Sequence, residues 1–322
     1  MSVPARDPIF GHTVLAAAAD WTELLAQRHV HAAYAPVAVL TLVHTLRVSH
    51  GARLISGGKN SRLGLFQSIV LDQIVLFAGS SVLALALGQP LPVLLAPFAI
   101  ALYSGVHVAA TLSGLGDVLL ELHAHPLAGL AIDMVVCAVD ALVRSEGIVN
   151  VGFGILAAHP DARIARALSA KLVAGALISG ATPLIAQAFH LSSATGAWAP
   201  RLPAWVHDPA HLVLPDVVAG VLAALAHVVL THGLALRTHG ALAAAAHALG
   251  VPAPKAYVPF TPYLSVREAK VVDAAVLFAV LAVPVLIRRV PRLVPRRRAT
   301  TRTSGRRVPT RAPRMRRGLK AE

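Results

Sequence analysis

Cysteine is almost absent. A single residue, Cys137, stands in 322, which excludes a disulfide within the chain and any cysteine cluster around a metal. Set in an apolar run, it reads as a small buried side chain. Charge is scarce as well, at 14% of residues, against about a quarter in a soluble domain. Aromatic residues make up 5%, and no aromatic platform accompanies the basic residues, so nucleic-acid binding has no stacking surface. Catalytic signatures are missing too: no Gly-x-Ser-x-Gly, no phosphate loop and no His-Glu-x-x-His occurs. The histidines pair loosely, as His207 with His211, His123 with His125 and His227 with His232, without a supporting carboxylate cluster. The reading is therefore a protein that is not an enzyme and holds no metal.

What is present is hydrophobicity, at 56% of residues and a mean hydropathy of +0.67. It falls in runs of about twenty residues, long enough to cross a hydrocarbon core of ~30 Å. The net charge of +14 is local: fourteen of the 29 basic residues lie from Arg288 onward, and the remainder is close to neutral.

Seven stretches read as spans: residues 32–49, 63–87, 93–112, 127–149, 164–189, 213–236 and 271–287. Gly88-Gln89-Pro90 stops the second, Ser113-Gly114-Leu115-Gly116 ends the third, and His125-Pro126 opens the fourth. An Ala-rich run to Leu249 extends the sixth, followed by a connector marked by Pro252, Pro254, Pro259 and Pro262. Residues 13–19 are too short to span and belong to a peripheral, amphipathic helix ending near Gln27. The chain thus divides into a peripheral segment, 1–30, a seven-span domain, 31–290, and a basic tail, 291–322, too poor in hydrophobics to fold alone and read as disordered.

Basic residues favour the cytosolic side. A cytosolic tail puts the N-terminus on the opposite, lumenal side of seven spans. The loop after the first span, with Arg47, Arg53, Lys59 and Arg62, then shares the tail's side; Arg163, Arg166, Arg237, Lys255, Arg267 and Lys270 fall on the other. The tail meets anionic membrane lipid, each basic residue near the surface adding about 1 kcal/mol.

The second and fifth spans each carry small residues at mid-depth, Gly79-Ser80-Ser81 in one and Ser179-Gly180-Ala181-Thr182-Pro183 in the other. Matching interruptions in two halves point to a central pathway, and three spans per half make the halves inverted. Two readings stay open. The small residues bend the helices and leave carbonyls for water or an ion, or they let helices pack closely.

Ionisable groups inside spans face a bundle interior. They are Asp72, Asp133, Asp140, Arg144, Glu146 and Lys171, with Asp273 near the start of the seventh. Asp140 and Arg144, four apart, either satisfy each other or line a pore in which the carboxylate attracts cations and Arg144 gates. Asp72, two turns before Gly79, either faces that pore or hydrogen-bonds between helices. Lys171 either reaches the membrane surface or meets Asp72 or Asp140 inside.

Ala78-Gly79-Ser80 leading to Leu87-Gly88-Gln89-Pro90-Leu91, Asp140 to Arg144 with Ile148 and Gly152 beyond, and Ser179-Gly180-Ala181 with Leu184 and Gln187 resemble the trimeric intracellular cation channels over roughly residues 30–250. Asp140 stands where animal members carry Lys, and the pattern is closer to a fungal-like branch. The resemblance implies an all-α membrane protein with seven transmembrane helices, two inverted three-helix repeats plus a seventh. It further implies a homotrimer with one K⁺-permeable pore per subunit, in an endoplasmic reticulum or nuclear membrane, supplying counter-ion flow during Ca²⁺ release. Gly79, Ser80, Ser179 and Gly180 are then pore hinges; Asp72, which has no placed counterpart in the family, and Lys171 join them as pore candidates from their positions in the second and fifth spans alone. Asp140 and Arg144 are lipid or gating residues, and a phosphoinositide is the one bound ligand. The alternative is a small-solute secondary transporter of seven spans; breaks in spans two and five fit the three-three-one plan better than a three-one-three carrier.

Overall fold

The computed structural model describes residues 10–33, 35–232 and 264–293. The apolar runs fold as helices because a backbone donor or acceptor left unpaired in lipid has no water to turn to. Helix α1 (Phe10–Gln27) is followed by a hairpin of β1 (His29–His31) and β2 (Ala35–Ala38), then by α2 (Val39–Ile55) and α3 (Leu65–Ala86). Gly88 ends α3 with φ +60°, and the Gln89 N–H donates to the Ala84 carbonyl at 2.8 Å, closing the last turn as a glycine cap does. Prolines then open α4 (Pro92–Leu95) and α5 (Pro97–Leu112), at the one helical position that needs no N–H. At Gly114, φ +74°, the chain turns by 76° into α6 (Leu115–Ala124).

Helix α7 (Pro126–Glu146) runs through a π-helical turn, Gly147–Gly152, into α8 (Phe153–Ala157). Then follow α9 (Ala162–Arg166), α10 (Leu168–Ala188), α11 (Ala204–His207), α12 (Pro215–His232) and α13 (Val266–Leu293).

Among the described residues, four helical units are long and apolar enough to cross a membrane: α3, α7 with α8, α10 and α13; the bent pair α5 and α6 makes a fifth if taken as one span. The apolar part of α12, Pro215–Thr231, is shorter. The chain is thus mostly helical with several candidate membrane spans. Exposed apolar side chains, among them Leu94 at 75% and Ile287 at 69%, form the outer surface such a protein turns to lipid.

Three expectations change. The first span does not begin at residue 32: residues 29–38 form the antiparallel hairpin, with His29 opposite Ala38. Pro36, which has no N–H to give, suits such a two-stranded edge. The helix that follows carries Arg47 and Arg53 within it, so neither belongs to a loop. Helices α3 and α10 also run without a break at their small residues. A Cβ on Gly79 would sit 2.6 Å from the Leu177 carbonyl oxygen and 2.7 Å from the Ile178 Cα, so this glycine serves close approach of the two helices. Gly180 does the same against Val217.

The expected helix up to Gln27 is present as α1. Arg267 of α13 holds it through Asp20 at 2.5 Å and Glu23 at 2.9 Å, Ala19 is buried, and Trp21 and Leu24 are exposed. Most of the basic tail, the Ala-rich extension and the proline-marked connector lie outside the described residues.

Helices α7, α12 and α13 close around Ala141, Ile148, Ala219, Ala223, Ala224 and Leu277. The ends of α2 and α13 meet α6 and the start of α7 at one pole, where Arg53 bonds Asp117 at 3.0 Å and Arg289 bonds Asp133 at 2.8 Å. At the other pole Lys270 pairs with Glu146 at 2.8 Å. Where α10 crosses α12, Gly175 and Gly220 face each other backbone to backbone. An added methyl at Gly220 has no free space, so Gly220→Ala is expected to lower stability by about 1–3 kcal/mol, the usual range for overpacking, read as a lower melting temperature of the purified protein in detergent.

Candidate functional site

The site begins with a missing hydrogen. Pro183 lies inside α10 and has no N–H, so the carbonyl of Ser179, four residues earlier, loses its helical partner. That carbonyl is taken by Arg144 of α7, whose Nη1 lies 2.9 Å from Ser179 O and 3.1 Å from Ser179 Oγ. The same Nη1 reaches the Asp216 carboxylate of α12 at 2.5 Å, and Nη2 reaches Asp140 at 3.0 Å. Asp140 is bound from the other side by Arg47 of α2. Two guanidinium groups and two carboxylates therefore form a neutral chain linking α2, α7 and α12, with α10 joined through its freed carbonyl. Asp216 also sits in the first turn of α12, where the helix dipole favours a negative group.

This chain crosses a cavity of about 800 Å³. Helix α7 contributes Asp133, Val136, Asp140, Val143 and Arg144, and Gly147 and Val151 follow in the π turn. These residues recur at steps of three and four, one face of a helix. From 133 to 151 the stripe covers about 27 Å at a rise of ~1.5 Å per residue, close to the ~30 Å of a hydrocarbon core. Opposite it stand Gly79 and Ser80 of α3 and Ser179, Thr182 and Pro183 of α10. His44 of α2 and Tyr103 of α5 complete the lining on a third side, His44 Nδ1 lying 2.6 Å from the tyrosine hydroxyl. Thr182 donates to the Val75 carbonyl of α3 at 3.2 Å, fixing the two walls to each other.

Of the residues singled out in the sequence, Gly79, Ser80, Ser179, Asp140 and Arg144 come together on the cavity. Asp140 and Arg144 pair with each other, and both line the cavity. Gly180 turns away to Val217. Lys171 does not enter the cavity or meet an aspartate; its ammonium stands 5.6 Å from the centroid of the Phe153 ring, a cation–π distance. Asp72 is also absent from the lining. It is fully buried between α2, α3 and α5, with His107 Nδ1 at 3.4 Å.

Sequence reading missed Arg47 and Asp216. Arg47 sits three residues after His44 and four before Gly51, a helical polar face, but low hydropathy made it resemble a loop. Asp216 follows Pro215, a helix-start pair, and that signal places it in a first turn without revealing the arginine it meets.

Chemically, the site presents charged groups and a carbonyl at mid-depth in a space large enough for hydrated ions. If Arg144 withdrew from Asp140 and Asp216, two carboxylates would face that space.

Breaking the chain at one member leaves a partner charge uncompensated. Asp140→Leu is expected to destabilise by about 3–5 kcal/mol, and the double change with Arg47→Met to recover a large part of it, measured as melting temperatures in a double-mutant cycle. Pro183→Ala returns an N–H to the Ser179 carbonyl. It is expected to raise stability by up to about 3 kcal/mol, the penalty of an interior proline, read from the same melting curves. Comparison of the chain with family models, with curated proteins and with solved structures gave no match.

Proposed function

We propose that this chain is a membrane channel for monovalent cations, chiefly K⁺, with a conduction path along the cavity of each subunit. The observation that carries the reading is the cavity-facing stripe of α7. It extends from Asp133 to Val151, nearly the depth of a bilayer core, with Asp140 and Arg144 at its centre. An 800 Å³ space with this lining replaces part of an ion's hydration shell by hydroxyls, carbonyls and carboxylates. The chain of Arg47, Asp140, Arg144 and Asp216 is the constriction, and Arg144 is the group that moves when it opens.

On this reading seven helical units cross the membrane: α2, α3, α4 with α5, α7 with α8, α10, α12 and α13. The triads α2–α3–α5 and α7–α10–α12 are the two inverted repeats, meeting where α3 crosses α10 at Gly79 and Ile178. The N-terminus is lumenal and the C-terminus cytosolic, because the pole holding Arg53, Lys59 and Arg289 is the more basic one and the tail of twelve basic residues follows from it. Assembly as a homotrimer, a place in the endoplasmic reticulum or nuclear membrane, counter-ion flow during Ca²⁺ release and a phosphoinositide at the cytosolic face belong to the same proposal. They are supported by the resemblance to the trimeric intracellular cation channels. One observation favours a second reading, a small-solute carrier: the ion pairs cross the cavity at mid-depth, as alternating access requires.

Recording from the purified protein in planar bilayers, in symmetric and then mixed K⁺ and Na⁺, separates the two. A channel gives unitary current steps; saturable solute exchange without steps belongs to a carrier. Ser80→Phe puts a ring into the lining and is expected to cut unitary K⁺ conductance roughly tenfold, equivalent to about 1.4 kcal/mol of added barrier. Unchanged conductance in a folded variant would sink the assigned path.

A further inference from the structure

Away from the cavity lies a second polar cluster, built around Asp72 of α3 and His107 of α5. Asp72 is 0% and His107 1% exposed. The hydroxyl of Ser68 donates to the Leu65 carbonyl at 2.8 Å. Having one proton, it can only accept at its other contact, His107 Nε2, 3.1 Å away. That nitrogen therefore carries the ring hydrogen, an assignment that rests on the network. In a neutral imidazole the remaining nitrogen, Nδ1, bears a lone pair. It takes the Ser49 hydroxyl at 2.9 Å.

The Asp72 carboxylate also faces Nδ1, its Oδ1 3.4 Å away. Oδ1 is buried and has no hydrogen-bond donor among the described residues, while Oδ2 has a long contact of 3.4 Å from Gln73 Nε2. With the carboxyl ionised and the ring neutral, a buried negative oxygen would confront a lone pair, an arrangement that costs several kcal/mol. One added proton removes the conflict. On Oδ1 it donates to Nδ1; on Nδ1 it donates to Oδ1 and makes an ion pair of the two residues. In both forms the pair is neutral overall.

We propose that Asp72 and His107 form a proton-binding site that holds one proton at neutral pH and exchanges it with the cavity through Tyr103 and His44. Tyr103 lies one helical turn from His107 on α5, and its hydroxyl bonds His44 at the cavity wall. The charged and titratable groups around the site are His107 and Tyr103 on α5 and, beyond Tyr103, His44 and Arg47 on α2. Helix α3 adds Ser68 and Gln73, the latter also bonded to Ser104 of α5 at 3.1 Å. Helix α10 meets α3 on the opposite side through Ile178 and Thr182. The proton is taken up from water in the cavity and returned to it; no other bond changes. The site stands whether or not the cavity conducts ions.

Two spectroscopic readouts on the full chain in lipid bilayers at neutral pH test it. Infrared difference spectra of wild type against Asp72→Asn report a protonated carboxyl at Asp72. Imidazole nitrogen NMR of ¹⁵N-histidine-labelled protein, assigned with His107→Gln, reports an imidazolium at His107 and does not depend on the Asp72 variant folding. The expected result is either a carboxylic-acid band that Asp72→Asn removes or a protonated ring that His107→Gln removes. An ionised Asp72 beside a neutral His107 would overturn the site. Tyr103→Phe should slow entry of deuterium into the site severalfold relative to wild type; an unchanged rate would overturn the route through Tyr103. Both readouts are blind to K⁺ current, so their failure is distinct from failure of the conduction reading.

Discussion

A carbonyl without a helical partner is the constraint around which the centre of this protein is arranged. Pro183 removes one hydrogen bond from α10, and a carbonyl left unpaired inside a membrane protein needs another donor. The replacement is Arg144. A guanidinium brought to that depth carries its own demand for carboxylates, met by Asp140 and Asp216; Asp140 in turn draws in Arg47. Each step satisfies the debt of the one before, and the series ends neutral. The position of α7 relative to α10, and of α2 and α12 relative to both, follows from where these side chains must reach.

The glycines have the complementary task. Helices joined by charged side chains through a cavity still need dry contact elsewhere, since tails of lipid compete on equal terms with leucine for an apolar face. Gly79 lets α3 ride on the backbone of α10, and Gly175 with Gly220 does the same for α10 and α12. Close contact and cavity lining meet on the same helix: Ile178 and Ser179 of α10 serve both, which its sequence of small residues permits.

Much of this was legible in the residues, and the parts that were not share a cause. The Gly88 stop, Pro126 at the start of α7 and a helix ending at Gln27 are local signals, and the structure has them at the expected places. The hairpin at residues 29–38 was hidden by Val and Ala, which suit a strand as well as a span. The mid-span small residues were seen, but whether Gly79 bends a helix or admits a neighbour depends on Leu177 and Ile178, a hundred residues away. Arg144 and Asp140 announced themselves by spacing. Their partners Arg47 and Asp216 lie on other helices, and the pairing is a tertiary fact. For Asp72 a place on the pore and a hydrogen bond between helices are both open in the sequence; the face it shares with Gly79 meets α5 and α2 two turns along, so it does not line the cavity.

The π turn at Gly147–Gly152 divides one long rod into two parts with separate allegiances. Ahead of it, Ala141 packs against α12 and α13, joined by Ile148 within the turn; past it, Leu156 packs against Leu83 and Ala174. An extra residue in a helical turn shifts the phase of everything that comes after. The turn is itself gripped from both sides, since Phe153 just beyond it and Ile178 of α10 pack against both sets of neighbours.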